Sequence, residues 1–130
     1  MKHQELINAA KKAMERSYAP YSHFNVGAAL LCKNGKVYLG ANVENSSFSL
    51  CSCAERNAFF GAVSEGEREF EAIAVVGGKN KEIENFCPPC GACRQVMTEF
   101  CGDDFEIILS DLKCVKIFKL GEIMPLGFSL

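Results

Sequence analysis

The sequence predicts an α/β protein built on a mixed sheet of five strands, and three observations carry that expectation. Apolar runs of strand character alternate with segments of helical period. Two strand–helix–strand crossovers join the later strands, a connection that normally places parallel strands together with right-handed hand. At 130 residues and 48% hydrophobic composition, the chain suits one domain with both faces of its sheet covered.

The elements follow in order. Residues 4–17 place Leu6, Ile7, Ala10, Ala13 and Met14 on one helical face, and Pro20 disfavours helix at Ala19. Residues 25–32 and 36–42 read as strands flanking Asn34-Gly35, a pair favoured where a two-residue hairpin turn needs positive φ. The first of these strands is apolar on both alternating faces, as a strand covered on both sides should be. A polar loop over 44–52 precedes a helix from about Cys53 to Ser64, whose apolar side is Ala54, Ala58, Phe59, Ala62 and Val63. Residues 70–76 read as a buried strand stopped by Gly77-Gly78. A charged, solvated loop over 79–86 leads to a third helix at about 91–101, which is expected to bury Val96, Met97 and Phe100. Two short strands, 105–109 and 115–119, complete an α-β-β-α-β-α-β-β order. The crossovers from 36–42 to 70–76 and on to 105–109 predict parallel neighbours. Both interior helices then begin on one rim of the sheet, where open α/β sheets take their ligands.

Charge and hydropathy exclude several classes. Lys plus Arg is 14 and Asp plus Glu is 16, a net charge of −2, which argues against a nucleic-acid binder working by phosphate neutralisation. No apolar run approaches the ~20 residues that span a bilayer, and the charged N-terminal segment lacks a signal-peptide stretch. The expectation is a cytoplasmic protein with a small-molecule partner, engaging neither nucleic acid nor membrane.

Eight cysteines are the anomaly, and five of them cluster at Cys51, Cys53, Cys87, Cys90 and Cys93. Without an export signal, such clusters bind metal or carry catalysis more often than they form disulfides. Cys53 opens one rim helix, and Cys90 and Cys93 open the other. Three thiolates there can hold a tetrahedral zinc with one position open, whereas four cysteines would close it into a structural site. Helix N-termini favour anionic sulfur through unpaired N–H groups and the macrodipole. Taken alone, Cys90-x-x-Cys93 also fits a zinc knuckle or a redox dithiol. Glu55, two residues after Cys53, supplies a carboxylate able to reach the open position without ligating. Zinc lowers the pKa of bound water toward roughly 7, and a neighbouring carboxylate can take and return the proton. Three thiolates around Zn²⁺ leave a negative site, so a compensating cation is expected; Arg56 is the nearest candidate, its alternative being a surface ion pair. Cys51 and Cys87 are expected to be reduced bystanders, and Cys32, Cys101 and Cys114 small core residues. His3 and His23 lack metal-ligand spacing.

Four motifs together resemble the cytidine deaminase family of zinc enzymes: Phe24-Asn-Val26-Gly27-Ala28-Ala29, Asn42-Val-Glu44-Asn45, Cys53-Ala-Glu55, and Pro89-Cys90-Gly-Ala-Cys93-Arg94-Gln95. The likeness covers nearly the whole chain and is closest to the short, all-cysteine class acting on free nucleosides. It implies a three-layer α/β/α cytidine-deaminase-like fold, with Cys53, Cys90 and Cys93 binding one Zn²⁺ per chain. It further implies Glu55 as proton shuttle in hydrolysis at C4 of cytidine or deoxycytidine, which yields the uridine and ammonia in pyrimidine salvage. Asn42 and Glu44 would hold ribose hydroxyls, and Phe24 would stack on the pyrimidine. Phe128 would reach a neighbouring subunit's site in a homotetramer. Without the resemblance, Phe24 and the tail around Phe128 read equally as packing, and Asn42 and Glu44 as a loop cap and a solvated charge. Two positions depart from the family pattern: Phe48 stands where tyrosine is common, and Ser46 replaces a small apolar residue. The rival readings are a deaminase of another cytosine nucleoside such as blasticidin S, and a non-catalytic zinc-stabilised interaction module, for which Cys51 or Cys87 would close the metal site.

Overall fold

The computed structural model describes residues 2–130. Its order is α1 (Lys2–Met14), β1 (Phe24–Cys32), β2 (Val37–Ala41), α2 (Ala54–Ser64), β3 (Phe70–Lys79), α3 (Gly91–Phe100), β4 (Glu106–Ser110), β5 (Val115–Lys119) and a short α4 (Leu120–Ile123), with a 3-10 turn at Phe48–Leu50. The five strands form one mixed sheet in the order β2-β1-β3-β4-β5.

Period-two alternation divides the core between the two faces. Ala28, Leu30, Ile73, Val75, Ile107 and Leu109 point toward α2 and α3, where they meet Ala58, Phe59, Ala62, Cys93 and Met97. Ala29, Ala72, Ala74, Val76 and Ile108 point the other way and are covered by Leu6, Ile7, Ala10 and Met14 of α1. This is the three-layer α/β/α arrangement.

Strand adjacency corrects one expectation. β3 and β4 are parallel neighbours, as their crossover predicts. β2 and β3 are not neighbours: β1 lies between them and pairs antiparallel with each. The hairpin keeps β2 on the outer side of β1, so β2 runs in the direction of β3 at one strand's remove. α2 and α3 therefore still begin on one rim.

Local geometry supplies further corrections. The β1–β2 connection is a three-residue loop, not a two-residue turn, because Cys32 N–H donates to the Lys36 carbonyl at 2.9 Å. Gly35 alone takes positive φ (+91°), as in a type I turn followed by a left-handed residue. β3 does not stop at Gly77-Gly78 but continues to Lys79. A Cβ on Gly78 would lie 1.8 Å from the Glu82 carbonyl oxygen, so this glycine permits the following loop to fold back onto the strand. Cys114 is exposed on the β4–β5 turn and Cys101 is half-buried; of the three cysteines expected in the core, Cys32 is the one fully buried. α3 buries Met97 fully, whereas Val96 and Phe100 are only partly covered.

Candidate active site and metal centre

The rim is organised by the two strand ends that feed α2 and α3. After β2, the chain makes an excursion whose base is closed by Val43 and Ser52, each donating its N–H to the other's carbonyl at 3.0 and 2.9 Å. It then enters α2 with Cys53 as N-cap residue. Asn57 fixes that entry, since its Nδ2 donates to the Ala41 carbonyl at 2.7 Å and its Oδ1 accepts from Ser52 Oγ at 2.8 Å. α2 can lie this close to the sheet because residue 40 is glycine: a Cβ there would come within 2.3 Å of the Ala54 carbonyl oxygen. On the other side Cys90 is the N-cap residue of α3. Arg94 holds that start by donating from Nε to the Pro89 carbonyl at 2.8 Å, while its Nη1 donates to the Ile123 carbonyl at 2.8 Å.

These two helix starts bring three sulfurs together. Cys53 Sγ lies 3.9 Å from Cys90 Sγ, and Cys90 Sγ lies 3.5 Å from Cys93 Sγ. With a Zn–S bond of about 2.3 Å, the edge of a tetrahedron of sulfurs is about 3.8 Å, so this spacing fits zinc. It is far outside the ~2.05 Å of a disulfide, and all eight cysteines are free thiols. Among the described residues, Cys53, Cys90 and Cys93 are the one cluster of potential ligands within 4.8 Å of one another. Cys51 is engaged elsewhere, accepting from Asn45 N–H at 3.3 Å within the excursion. Cys87 is half-buried, and desolvation pushes its thiol up to about 12. Three sulfurs, not four, converge.

Electrostatics separates the groups at this cluster. The Cys53 thiol is drawn down to about 5, first by its hydrogen bond with Cys93 and then by Arg56, whose Nη2 donates to Cys53 Sγ at 3.2 Å. Cys93 moves upward, because in the metal-free chain it shares its proton with Cys53 and is itself desolvated. Arg56 Nε is enclosed without a hydrogen-bond partner among the described residues. Glu55, on the first turn of α2, is 5% exposed. Burial raises its carboxyl to about 7, with the Cys53 charge adding to the shift. An acid poised there can hold or release a proton near neutral pH.

The remaining candidate residues occupy two settings. Asn42 and Glu44 stand at the base of the excursion. Asn42 Oδ1 accepts from Ser17 Oγ at 2.5 Å and from Val26 N–H at 2.9 Å, while its Nδ2 donates to the Phe24 carbonyl at 2.8 Å. Glu44 Oε1 accepts from the N–H groups of Tyr21 at 3.0 Å and Ser22 at 3.1 Å, and Ser22 Oγ donates to Oε2. Phe24 begins β1 and is partly exposed; Phe128 lies on the exposed tail, where its carbonyl accepts from Gln95 Nε2 at 2.9 Å. Tyr21, Ser22, Glu44, Phe48 and Cys51 line a cavity of about 280 Å³. Phe48 packs edge-on against Tyr21, whose hydroxyl lies 2.6 Å from Ser46 Oγ. Ser17, Ser22 and Asn57 were not among the candidate residues. Each is a polar side chain far in sequence from what it holds, and no local spacing marks such a partner.

A tri-cysteine centre beside a buried carboxylic acid, on the rim of an α/β/α sheet, is the architecture of a zinc-dependent hydrolase. Residues 1–108 match the family model described as the cytidine and deoxycytidylate deaminase zinc-binding region, and the chain belongs to that family, with zinc as its cofactor. A cytidine deaminase of Halalkalibacterium halodurans is 48% identical over 130 residues, covering 99% of this chain and 96% of its own. One from Sporosarcina psychrophila is 47% identical over 127 residues, covering 97% and 90%. The crystal structure of cytidine deaminase from Burkholderia pseudomallei superposes with a TM-score of 0.91 at 50% identity, covering 98% of this chain and 100% of that one.

Proposed function

We propose that the chain is a hydrolytic enzyme that deaminates cytidine and deoxycytidine to uridine and deoxyuridine with release of ammonia, acting in pyrimidine salvage. The observation that carries this reading is the buried Glu55 beside three, and not four, convergent sulfurs. A closed structural site has no use for a desolvated acid at that place, which weighs against a non-catalytic zinc module.

Cys53, Cys90 and Cys93 hold the zinc, which when bound supplies Lewis-acid polarisation of water at neutral pH. Arg56 offsets the excess negative charge of the thiolates through its hydrogen bond to Cys53 Sγ. Glu55 accepts a proton from the attacking water and passes it to N3 of the pyrimidine as C4 becomes tetrahedral. It then moves a second proton to the amine at C4, so that ammonia departs and the carbonyl forms. Its raised pKa suits a group that must both take and give. Asn42 and Glu44 orient the sugar hydroxyls and Phe24 stacks on the base. Phe128 reaches the site of a neighbouring copy in a homotetramer, a reading supported by the exposed apolar side chains of Phe48, Leu50, Phe60 and Phe128. Residues 1–130 work as one domain. The cytoplasm, where thiols stay reduced, suits its eight free cysteines. No helix among the described residues is long and apolar enough to cross a membrane.

Ammonia release from cytidine, deoxycytidine and blasticidin S by zinc-replete protein tests the reading. Turnover of the first two is expected, and turnover of blasticidin S alone would overturn it. Glu55→Gln is expected to keep its zinc and lose at least a factor of about 10²–10⁴ in kcat. Wild-type turnover in that variant would remove Glu55 from the mechanism.

A further inference from the structure

The segment 19–24 approaches the rim from α1 and is rigidly turned. His23 N–H donates to the Ala19 carbonyl at 3.0 Å, and His23 itself takes a left-handed φ of 60°. Its carbonyl accepts from Asn80 N–H at 2.6 Å, which ties the turn to the end of β3. This geometry aims two backbone N–H groups and one hydroxyl at Glu44. The hydroxyl belongs to Ser22, and it makes a second bond, accepting from Phe24 N–H at 3.0 Å.

A serine hydroxyl has one proton to give. In Ser22 that proton goes to Glu44 Oε2, and a lone pair takes the N–H of Phe24, so one oxygen joins two residues assigned to opposite ends of a nucleoside. An ionised carboxylate offers about four acceptor positions. Tyr21, Ser22 N–H and Ser22 Oγ occupy three of those on Glu44, and the position left lies on Oε2, the oxygen held by the Ser22 hydroxyl. Glu44 and Ser22 line the same cavity of about 280 Å³. We infer that Ser22 is a positioning residue for substrate recognition: its hydroxyl fixes Glu44 so that a single acceptor faces one sugar hydroxyl. The inference rests on the reading in which Glu44 holds the sugar. The same donation helps keep the Glu44 carboxyl below its ordinary range.

The test compares wild-type, Ser22→Ala and Ser22→Thr holoenzymes on cytidine and on 2′,3′-dideoxycytidine, which lacks the hydroxyls that Glu44 would hold. Ser22→Ala should raise KM for cytidine about tenfold or more, the scale of one hydrogen bond to a charged group, with kcat changed less than about twofold. Ser22→Thr, which keeps the hydroxyl, should restore KM to within about threefold. On dideoxycytidine, wild type and Ser22→Ala should differ by less than about twofold, since the contact being positioned is absent. An equal loss on both nucleosides, a loss confined to kcat, or no loss on cytidine would overturn the assignment. If Ser22→Ala fails to accumulate as folded, zinc-loaded protein, Ser22→Cys takes its place with the same outcomes. A wild type active on cytidine with equal losses overturns only the role of Ser22; a wild type inactive on both nucleosides overturns the functional reading and this one with it.

Discussion

Glu44 and Glu55 show how differently one residue type behaves in two surroundings, one half-buried among donors and one enclosed. Glu55 is enclosed and its carboxyl rises to about 7, whereas Glu44 is met by N–H and O–H donors and its carboxyl falls below the ordinary 4.5. A carboxyl lowered in the folded chain contributes stability that is complete above its unfolded pKa and is lost as pH falls through the folded value. Between about pH 6 and pH 3, thermal melting of the wild type should therefore decline more steeply than that of Glu44→Gln. Parallel curves would show that the Ser22 and Tyr21 donors do not stabilise the ionised form. The place of Glu55 beside the sulfur cluster was legible from sequence because its neighbour Cys53 carries the motif. The donors that govern Glu44 were not, because Tyr21 and Ser22 stand more than 20 residues away and carry no signature of their own.

At the scale of elements, the site is two helix starts set against a sheet, and the closeness of α2 depends on a missing side chain. Gly40→Ala would drive a Cβ to 2.3 Å from the Ala54 carbonyl oxygen and 2.6 Å from the Ala58 nitrogen. Backbone atoms cannot yield as a side-chain tip does, so α2 must shift, at about 1–3 kcal/mol for overpacking of this kind. Because Cys53 caps that helix, the variant should melt at lower temperature and bind less than the wild-type complement of zinc. Unchanged melting and metal content would show that the contact is slack. The helices themselves were readable, since apolar spacing over 54–63 and the cysteines at their caps point to one rim. The β1–β2 loop was misread because Asn34-Gly35 serves a two-residue turn and a three-residue loop alike. The C-terminal end of β3 was misread for another reason. Glycine marks both a break in a strand and a place where another backbone comes close, and only the tertiary partner, here the Glu82 carbonyl, distinguishes the two. Cys114 was misplaced similarly, because a small apolar residue carries no period of its own within a short turn.

For the molecule as a whole, the crossovers fixed direction but not adjacency. A hairpin can lie on either edge of its partner strand, and nothing in residues 24–42 says that β1 rather than β2 will pair with β3. Both outcomes place the cysteines on one rim, which is why the site was more legible than the sheet order. The core face covered by α1 contains none of the three sulfurs, and the other face meets them only through Cys93 and Cys53. Chelation should therefore abolish turnover and lower the melting temperature while leaving far-ultraviolet dichroism near its holo value, and added zinc should restore both. Ligand present at a thousandfold over its Kd stabilises by about 4 kcal/mol, the scale of shift expected. Collapse of the dichroism on chelation would show instead that the sheet itself needs the ion.

Because the sulfurs arrive from loops that leave two strands separated by β1, a bound ion would fasten together loops that no direct strand pairing joins. Unfastening it should quicken amide exchange over 42–53 and 80–93 while the central strands stay protected. A protein so built should surrender its metal and take it up again with its scaffold intact, and recovery after depletion should then require recapture of an ion and not a second passage through folding.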